Sequence, residues 1–433
     1  MFKTISENHI KYLLVFLLLA ISCCPFFMAN GFYILIAVLL LRFKKLEVRF
    51  LPSLVIVLAA AFEFYHNYNF HGYELWVTRQ IIFYFFVAML VAYYVKLEFL
   101  PIYINIIYFF TLISFPFFLL VHINSGLAHT VSELFPKFFT RSIGFYDTNY
   151  DQINPIVYNF DVNYFYGRNN GPFWEPTVFA TLLVIAQMFN LFTTRRLFNK
   201  KGIVFSLGIL TTLSTTCFIA YFLLIVSYCM LSENIKPGVK IALVFFAIAG
   251  GAVLFNKAPF LREKINSEID GIDEKVDKYG GDSRLASAIL DIKEITQKDI
   301  YVLWGKGSSR NIRIGGIDKT VLRNCGDTAL LVEWGIFYFI FYFGLMFNTF
   351  FQLAKYFKVS WIYAIVFVII FLFVGFSEVF FDLPFFLGFL FLGFIAYNYN
   401  HATSKDGELP PPLANEPTPH FPAYDKMWLE INN

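Results

Sequence analysis

An all-α, polytopic integral membrane protein is the fold class this sequence predicts, and three observations carry it. Hydrophobic residues make up 58% of the chain and charged residues only 15%, far from the composition of a soluble globular domain. Apolar runs of about twenty residues recur along its length, which is what a helix needs to cross a hydrocarbon core. These runs are continuous rather than alternating, which excludes strands as the spanning element.

Taken in order, about twelve spans are expected: 11–28, 30–43, 50–64, 77–95, 99–121, 173–193, 202–214, 216–232, 239–256, 327–353, 359–376 and 379–397. The first run lacks the small residues of a signal-cleavage site, "LLLAISCCPFF", and reads as a retained span. Residues 202–232 taken as one helix would reach about 45 Å, much longer than the hydrocarbon core of about 30 Å. The run 11–43 is broken by Pro25 and Asn30-Gly31. Loop charge favours a hairpin at both places. With a cytoplasmic N-terminus, "RFKKLEVR" (42–49), "TTRRLFNKKG" (193–202), "SENIKPGVK" (232–240) and "LAKYFK" (353–358) all fall inside, while "YHNYNFHGYEL" (65–75) carries no Lys or Arg and falls outside. The membrane domain is then 1–401, with two long loops, about 122–172 and about 257–326, on the same outer face. The tail 402–433 is Pro-rich and polar and reads as a disordered cytoplasmic appendage.

The inner loops are too short to form a nucleotide-binding domain. Five cysteines make no disulfide framework, since Cys23, Cys24, Cys217 and Cys229 lie in apolar runs and leave Cys325 alone in a loop. The seven histidines are scattered, and there is no G-x-S-x-G elbow, Cys-x-x-Cys pair or D-x-D. No metal or other cofactor is expected. The ionisable residues inside spans, Glu63, Arg79, Glu378 and Asp382, are a functional hint by default. Most of them lie near span ends, where snorkelling accounts for them.

Chemistry is concentrated in the two long loops. "YFYGRNNGPFWEP" sets Arg168 and Glu175 at the mouth of the sixth span. Its Tyr and Trp suit an interfacial belt and also suit stacking on sugar faces. In "GGDSRLASAILDI", Asp282 or Ser283 can cap a short amphipathic helix on which Leu285, Ile289 and Ile292 recur. Arg284 in its first turn opposes the helix dipole, which suggests an anionic ligand. "LWGKGSSR" (303–310) is a Gly-rich turn without the spacing of a phosphate-binding P-loop. Arg168, Arg284, Glu175 and Asp327 are expected to converge at one membrane surface. Arginine grips phosphate oxygens through a bidentate fork and stabilises charge growing on a departing diphosphate. A carboxylate beside it can take the proton of an attacking sugar hydroxyl.

Five stretches, in order, resemble the bacterial O-antigen polymerase and O-antigen ligase superfamily. They are the short Pro-containing hairpin "CCPFFMANGFYILIAVLLLRFKK", "GRNNGPFWEPTVFATLL", "LTTLSTTCFIAYFLLI", "GDSRLASAILDI" and "NCGDTALLVEWGIFYFIFY". The resemblance implies that arginines of the two outer loops serve transfer from an undecaprenyl-diphosphate donor, roles that fall on Arg168 and Arg284 with Glu175 as a polar partner. Ligases carry a histidine just before the span that begins near residue 327. Here "LRNCGDT" has none, which favours the polymerase side and leaves Asp327, then Glu175, as candidate general base. Asn169, Asn170, Trp174, Lys306, Arg310 and Asn324 are the expected substrate-binding residues.

The reading implied is a metal-independent membrane glycosyltransferase of the polymerase (Wzy) type in the bacterial inner membrane. It joins undecaprenyl-diphosphate-linked oligosaccharide repeats into O-antigen or a related surface polysaccharide at the periplasmic face. Its partners are that substrate, the bilayer and a chain-length regulator, with no nucleic acid. A ligase-type glycan transferase is the neighbouring alternative. A lipid-linked oligosaccharide flippase or transporter is the alternative of a different class, and it has less use for two long polar loops on one face.

Overall fold

The structure is a computed structural model. It describes residues 7–28, 36, 50–69, 75–135, 140–145, 148–160, 167–232, 236–242, 245, 266, 283–307 and 325–406. The described chain is nearly all helical. Helix α1 (Glu7–Cys23) stops short of Pro25, because the residue before a proline is pushed out of the helical region. Helices α2 (Phe50–Asn69), α3 (Leu75–Val95) and α4 (Phe99–Ile123) follow, the last two joined by a 3-10 turn at Lys96–Glu98. The first long loop contains α5 (Ser125–Glu133), capped by the Asn124 side chain, and an antiparallel hairpin of β1 (Thr140–Phe145) and β2 (Thr148–Ile153). That hairpin is a local departure from the all-α expectation.

Helix α6 (Pro176–Thr194) begins with proline at its first position, where no amide is needed, and ends at Arg195 in left-handed backbone. The expected break near residue 215 is present. Helix α7 (Lys200–Thr212) ends at left-handed Leu213, and α8 (Thr215–Leu231) starts two residues on, so 202–232 is not one helix. The second long loop supplies α9 (Arg284–Ile295) and α10 (Asp299–Trp304). Helices α11 (Gly326–Phe357), α12 (Ile362–Gly375) and α13 (Pro384–Asp406) complete the described chain. Helix α13 therefore carries five residues, 402–406, of the segment expected to be a disordered tail; 407–433 lie outside the described residues.

Three stretches among the described residues are long and apolar enough to cross a membrane: Gln80–Ile123, Pro176–Thr194 and Gly326–Phe357. Shorter apolar helices cover Phe50–His66, Thr215–Leu231 and Ile362–Gly375. These helices suggest a membrane-embedded protein. The expected span 30–43, apart from Ile36, and most of 239–256 lie outside the described residues. The core is aromatic: Phe192 packs on Phe367 at 4.7 Å, and Phe380 stacks on Phe386 at 4.2 Å.

Tertiary contacts give the bundle two chemically different ends. At one, Arg195 Nη2 donates to the Phe357 carbonyl at 2.9 Å, tying the C-termini of α6 and α11 together. Lys11 pairs with Glu98 at 2.7 Å, and Lys201 donates to Asn105 Oδ1 at 2.5 Å. Basic residues thus gather where α6 ends. Nineteen residues separate this end of α6 from the other, about 28 Å at 1.5 Å per residue.

Helix α11 is interrupted by Gly335, whose φ of 78° and ψ of 174° are not helical. The break leaves the carbonyls of Val332 and Glu333 without their helical donors, and the amides of Lys306 and Gly307 take them, both at 2.8 Å. Gly305 and Gly335 meet back to back: a Cβ on Gly335 would lie 2.4 Å from the Leu303 carbonyl oxygen. The His66 Nε2 donates to the Trp304 carbonyl at 2.5 Å, which pins the same turn to α2.

Candidate functional site

The site lies at the end of the bundle opposite Arg195, and its residues come from segments far apart in sequence. Trp174 donates its amide to the Cys23 carbonyl, which places Glu175 beside the end of α1 and at the N-cap of α6. Ser283 accepts from the Ala286 amide at 3.1 Å, so the capping residue of α9 is Ser283; Asp282 lies outside the described residues. That cap sets Arg284 at the first position of α9. Cys325 begins α11, and Gly326 abuts the backbone between α12 and α13. A Cβ on Gly326 would stand 2.1 Å from the Glu378 carbonyl oxygen.

Arg284 is the hub. Its Nε donates to the Ser377 carbonyl at 2.8 Å. Its Nη2 lies 3.4 Å from Glu175 Oε1 and 3.4 Å from Glu378 Oε1. The three side chains are only 21%, 19% and 11% exposed, so these charges are shielded from water far more than a surface pair. Arg168 is in the same electrostatic neighbourhood. Burial lowers its guanidinium from the ordinary value, while Glu175 opposes that shift and Arg284 adds to it. Its Nε donates to the Thr212 carbonyl at 2.9 Å and its Nη2 to the Leu213 carbonyl at 3.4 Å, at the break between α7 and α8.

Of the four residues expected to converge, Arg284 meets Glu175 directly and Arg168 lies within their electrostatic reach. Asp327 is close but separate: its Oδ1 packs against Gly375, where an added Cβ would lie 2.3 Å away. That Oδ1 is buried without a hydrogen-bond partner, as are Asn170 Oδ1, Thr177 Oγ1 and Thr215 Oγ1, which flank Arg168, Glu175 and the α7–α8 break. Unpaired buried acceptors are costly and rare.

Glu378 is the residue that sequence reasoning passed over. Snorkelling was the expectation for it and for Glu63, yet Glu63 is 2% and Glu378 9% exposed. Glu378 turns inward because Arg284 supplies a cation there. The available signal was "FSEVFFDLP", an acidic residue inside an apolar run. The side chain of Arg79 lies outside the described residues.

The remaining expectations divide. Asn169 is consumed by the fold. Its Nδ2 donates to Ser114 and Thr211, both at 2.9 Å, and its Oδ1 accepts from the Gly171 amide at 3.0 Å. Trp174 is half-buried against the core. Lys306 is 8% exposed and pairs with Glu294 at 2.9 Å, near the far end of α9 from Arg284. Ten residues of helix put that pair about 15 Å from Arg284 along the axis. Arg310 and Asn324 lie outside the described residues.

Helix α9 also buries a different face from the expected one. Ile292 is 44% exposed, whereas Leu290, Asp291 and Glu294 are buried. Polar anchors decide this: Thr328 donates to Asp291 Oδ2 at 2.7 Å and Lys306 to Glu294. Replacing Glu294 with Gln is expected to destabilise the protein by about 3–5 kcal/mol, because Lys306 is left buried and uncompensated. Glu294→Gln together with Lys306→Met should recover much of that loss in thermal unfolding of the detergent-solubilised protein.

All five cysteines are free and buried. Among the described residues, no three His, Cys, Asp or Glu side chains gather where they could hold a metal ion. Two shielded arginines beside two carboxyls can bind an anion and move a proton. Comparison with protein-family models, curated proteins and solved structures finds no match for this chain.

Proposed function

We propose that the protein is a membrane glycosyltransferase that polymerises lipid-diphosphate-linked oligosaccharide repeats, and that Arg168 and Arg284 bind the donor's diphosphate. One observation carries the reading: Arg284 meets Glu175 and Glu378 at the end of long apolar helices, with Arg168 beside them. A bilayer-anchored donor would bring its diphosphate to that depth. The sugar diphosphate carries its own activation, so no nucleotide site is required. The 3.4 Å contacts of Arg284 to both carboxyls are at the long limit for hydrogen bonds. Phosphate oxygens can therefore exchange for them while the 2.8 Å bond to Ser377 holds the guanidinium in place.

In this reading the acceptor sugar's hydroxyl oxygen bonds to the donor's anomeric carbon. The bond from that carbon to phosphate breaks, and its electron pair leaves on the diphosphate facing the arginines. The hydroxyl proton passes to a carboxylate. The basic end of the bundle is cytoplasmic by the positive-inside rule, which makes the site periplasmic.

The first test is the chain-length profile of surface polysaccharide from cells lacking the gene, run beside the complemented strain. Loss of the long ladder with a single repeat still attached to its acceptor is the expected result. Full-length polymer stranded on its carrier lipid would mean a ligase instead. Sidedness has its own test, made clean by the burial of the native cysteines. A membrane-impermeant maleimide added from outside should label Leu134→Cys and reach Lys200→Cys only after permeabilisation; the reverse pattern would invert the topology.

A further inference from the structure

The site holds one more acid than the transfer reaction has been assigned. We propose, resting on the glycosyl-transfer reading, that Glu378 is a positioning residue which shares one proton with Glu175, so that Glu175 is the group that receives the acceptor hydroxyl's proton. The argument begins with geometry. Arg284 Nη2 stands 3.4 Å from an oxygen of each carboxyl, so one nitrogen holds both acids beside each other in a shielded site. Two carboxyls in such contact do not both ionise near neutrality; the second proton is held by repulsion.

Burial, reinforced by the Glu175 carboxyl, pushes Glu378 well above the usual carboxylate range, and Arg284 opposes that rise only in part. Glu378 is the more enclosed of the two side chains, 11% exposed against 19% for Glu175. Glu378 is therefore the acid of the pair that burial favours in its protonated form. Other groups face the pair from each neighbouring element. Cys23 at the end of α1 and Cys217 in the first turn of α8 are both in its field, as is Arg168 before α6. Asp327 in α11 packs against Gly375, three residues before Glu378. Both thiols are free and buried.

Two consequences follow for catalysis. Two arginines against a pair carrying a single negative charge leave the site cationic, as a diphosphate requires. When donor oxygens replace the carboxyls on Arg284, Glu175 is released from that contact and is free to face the acceptor hydroxyl. The proton then moves from the acceptor hydroxyl to Glu175, while Glu378, still protonated, holds the Glu175 carboxyl by a hydrogen bond. The pair ends the step neutral and the diphosphate leaves with the electron pair.

The assignment makes a specific demand on pH. Activity should rise as the pair loses its first proton and fall as it loses the second, because the doubly ionised pair competes with the donor for Arg284. Glutamine at 378 imitates the protonated acid and cannot lose that second proton. Full-length Glu378→Gln, assayed in proteoliposomes with an undecaprenyl-diphosphate oligosaccharide, should keep transfer within about tenfold of the parent at neutral pH and lose the alkaline limb of kcat/KM. An unchanged bell, or a folded but inactive Glu378→Gln, overturns the positioning role. Infrared difference spectra read the shared proton without turnover. In the parent-minus-Glu378→Gln difference, where bands of other buried acids such as Asp327 cancel, the carboxyl C=O band of a protonated acid should be present at neutral pH and titrate away toward alkaline pH. Absence of the band from that difference overturns the pair itself. Its presence in a protein that transfers nothing from the lipid diphosphate leaves the pair standing and overturns the glycosyl-transfer reading.

Discussion

Arg284→Ala is expected to lower polymer formation by about 100-fold or more, the loss typical of removing one preorganised donor to developing negative charge. The effect should appear in kcat as well as in KM, because the same guanidinium that holds the diphosphate in the ground state meets more charge as the anomeric bond breaks. Arg284→Lys should not rescue it. A lysine ammonium has no planar fork, so it cannot hold the Ser377 carbonyl with one nitrogen while presenting another to the carboxyls or to phosphate. The change also leaves Glu175 and Glu378 in a shielded site without their cation, which destabilises the fold unless both protonate. Steady-state kinetics in proteoliposomes, with the amount of folded protein measured by gel filtration, separates the two losses. Normal turnover of Arg284→Ala would remove the arginine from the chemistry. Arg168→Ala should be the milder of the pair, because two backbone carbonyls, rather than carboxyls, are left behind.

The second large effect is expected at a residue with no chemistry. Gly326→Ala would place a Cβ 2.1 Å from the Glu378 carbonyl oxygen and 2.9 Å from that of Gly375. Both obstacles are backbone, so neither can turn aside as a side chain would. Either the start of α11 or the 375–378 segment must move. Overpacking costs about 1–3 kcal/mol and sometimes more, and the segment displaced carries both Ser377 and Glu378. A lowered melting temperature together with loss of transfer is the expected result. Gly344→Ala is the matched control, since nothing lies within 4 Å of the added Cβ; it should change neither.

How much of this was legible before folding differs from residue to residue. Arg168 and Glu175 were visible because a polar, Gly-rich stretch runs straight into an apolar helix, a local contrast. Arg284 was visible for a similar reason: Gly-Gly, a capping serine and an arginine in a first turn are a local pattern, and Ser283 does cap the helix. Lys306 had the same look, yet its partner is Glu294, and a basic residue in a Gly-rich turn cannot reveal whether an acid waits twelve positions upstream. Glu378 was legible only as a charge near the end of an apolar run. Its partners sit 94 residues away in α9 and farther still before α6. Nothing in "FSEVFFDLP" distinguishes an acid that reaches for water from one that meets an arginine.

Composition and the length of the apolar runs determined by themselves that this is a helical, membrane-type chain, because hydrocarbon admits a long segment only when its backbone hydrogen bonds close within it. Local motifs determined where helices start and which arginines stand at their mouths. Tertiary structure alone decided which of those charges share a site. It set Asn169 and Lys306 to hold the fold and brought Glu378 to Arg284, while keeping Asp327 in separate packing against Gly375. The physical reason is range. Hydrophobic patterning and capping act over one or two helical turns, whereas the pairing of buried charges depends on which helix ends meet, and that is set by packing across the whole bundle.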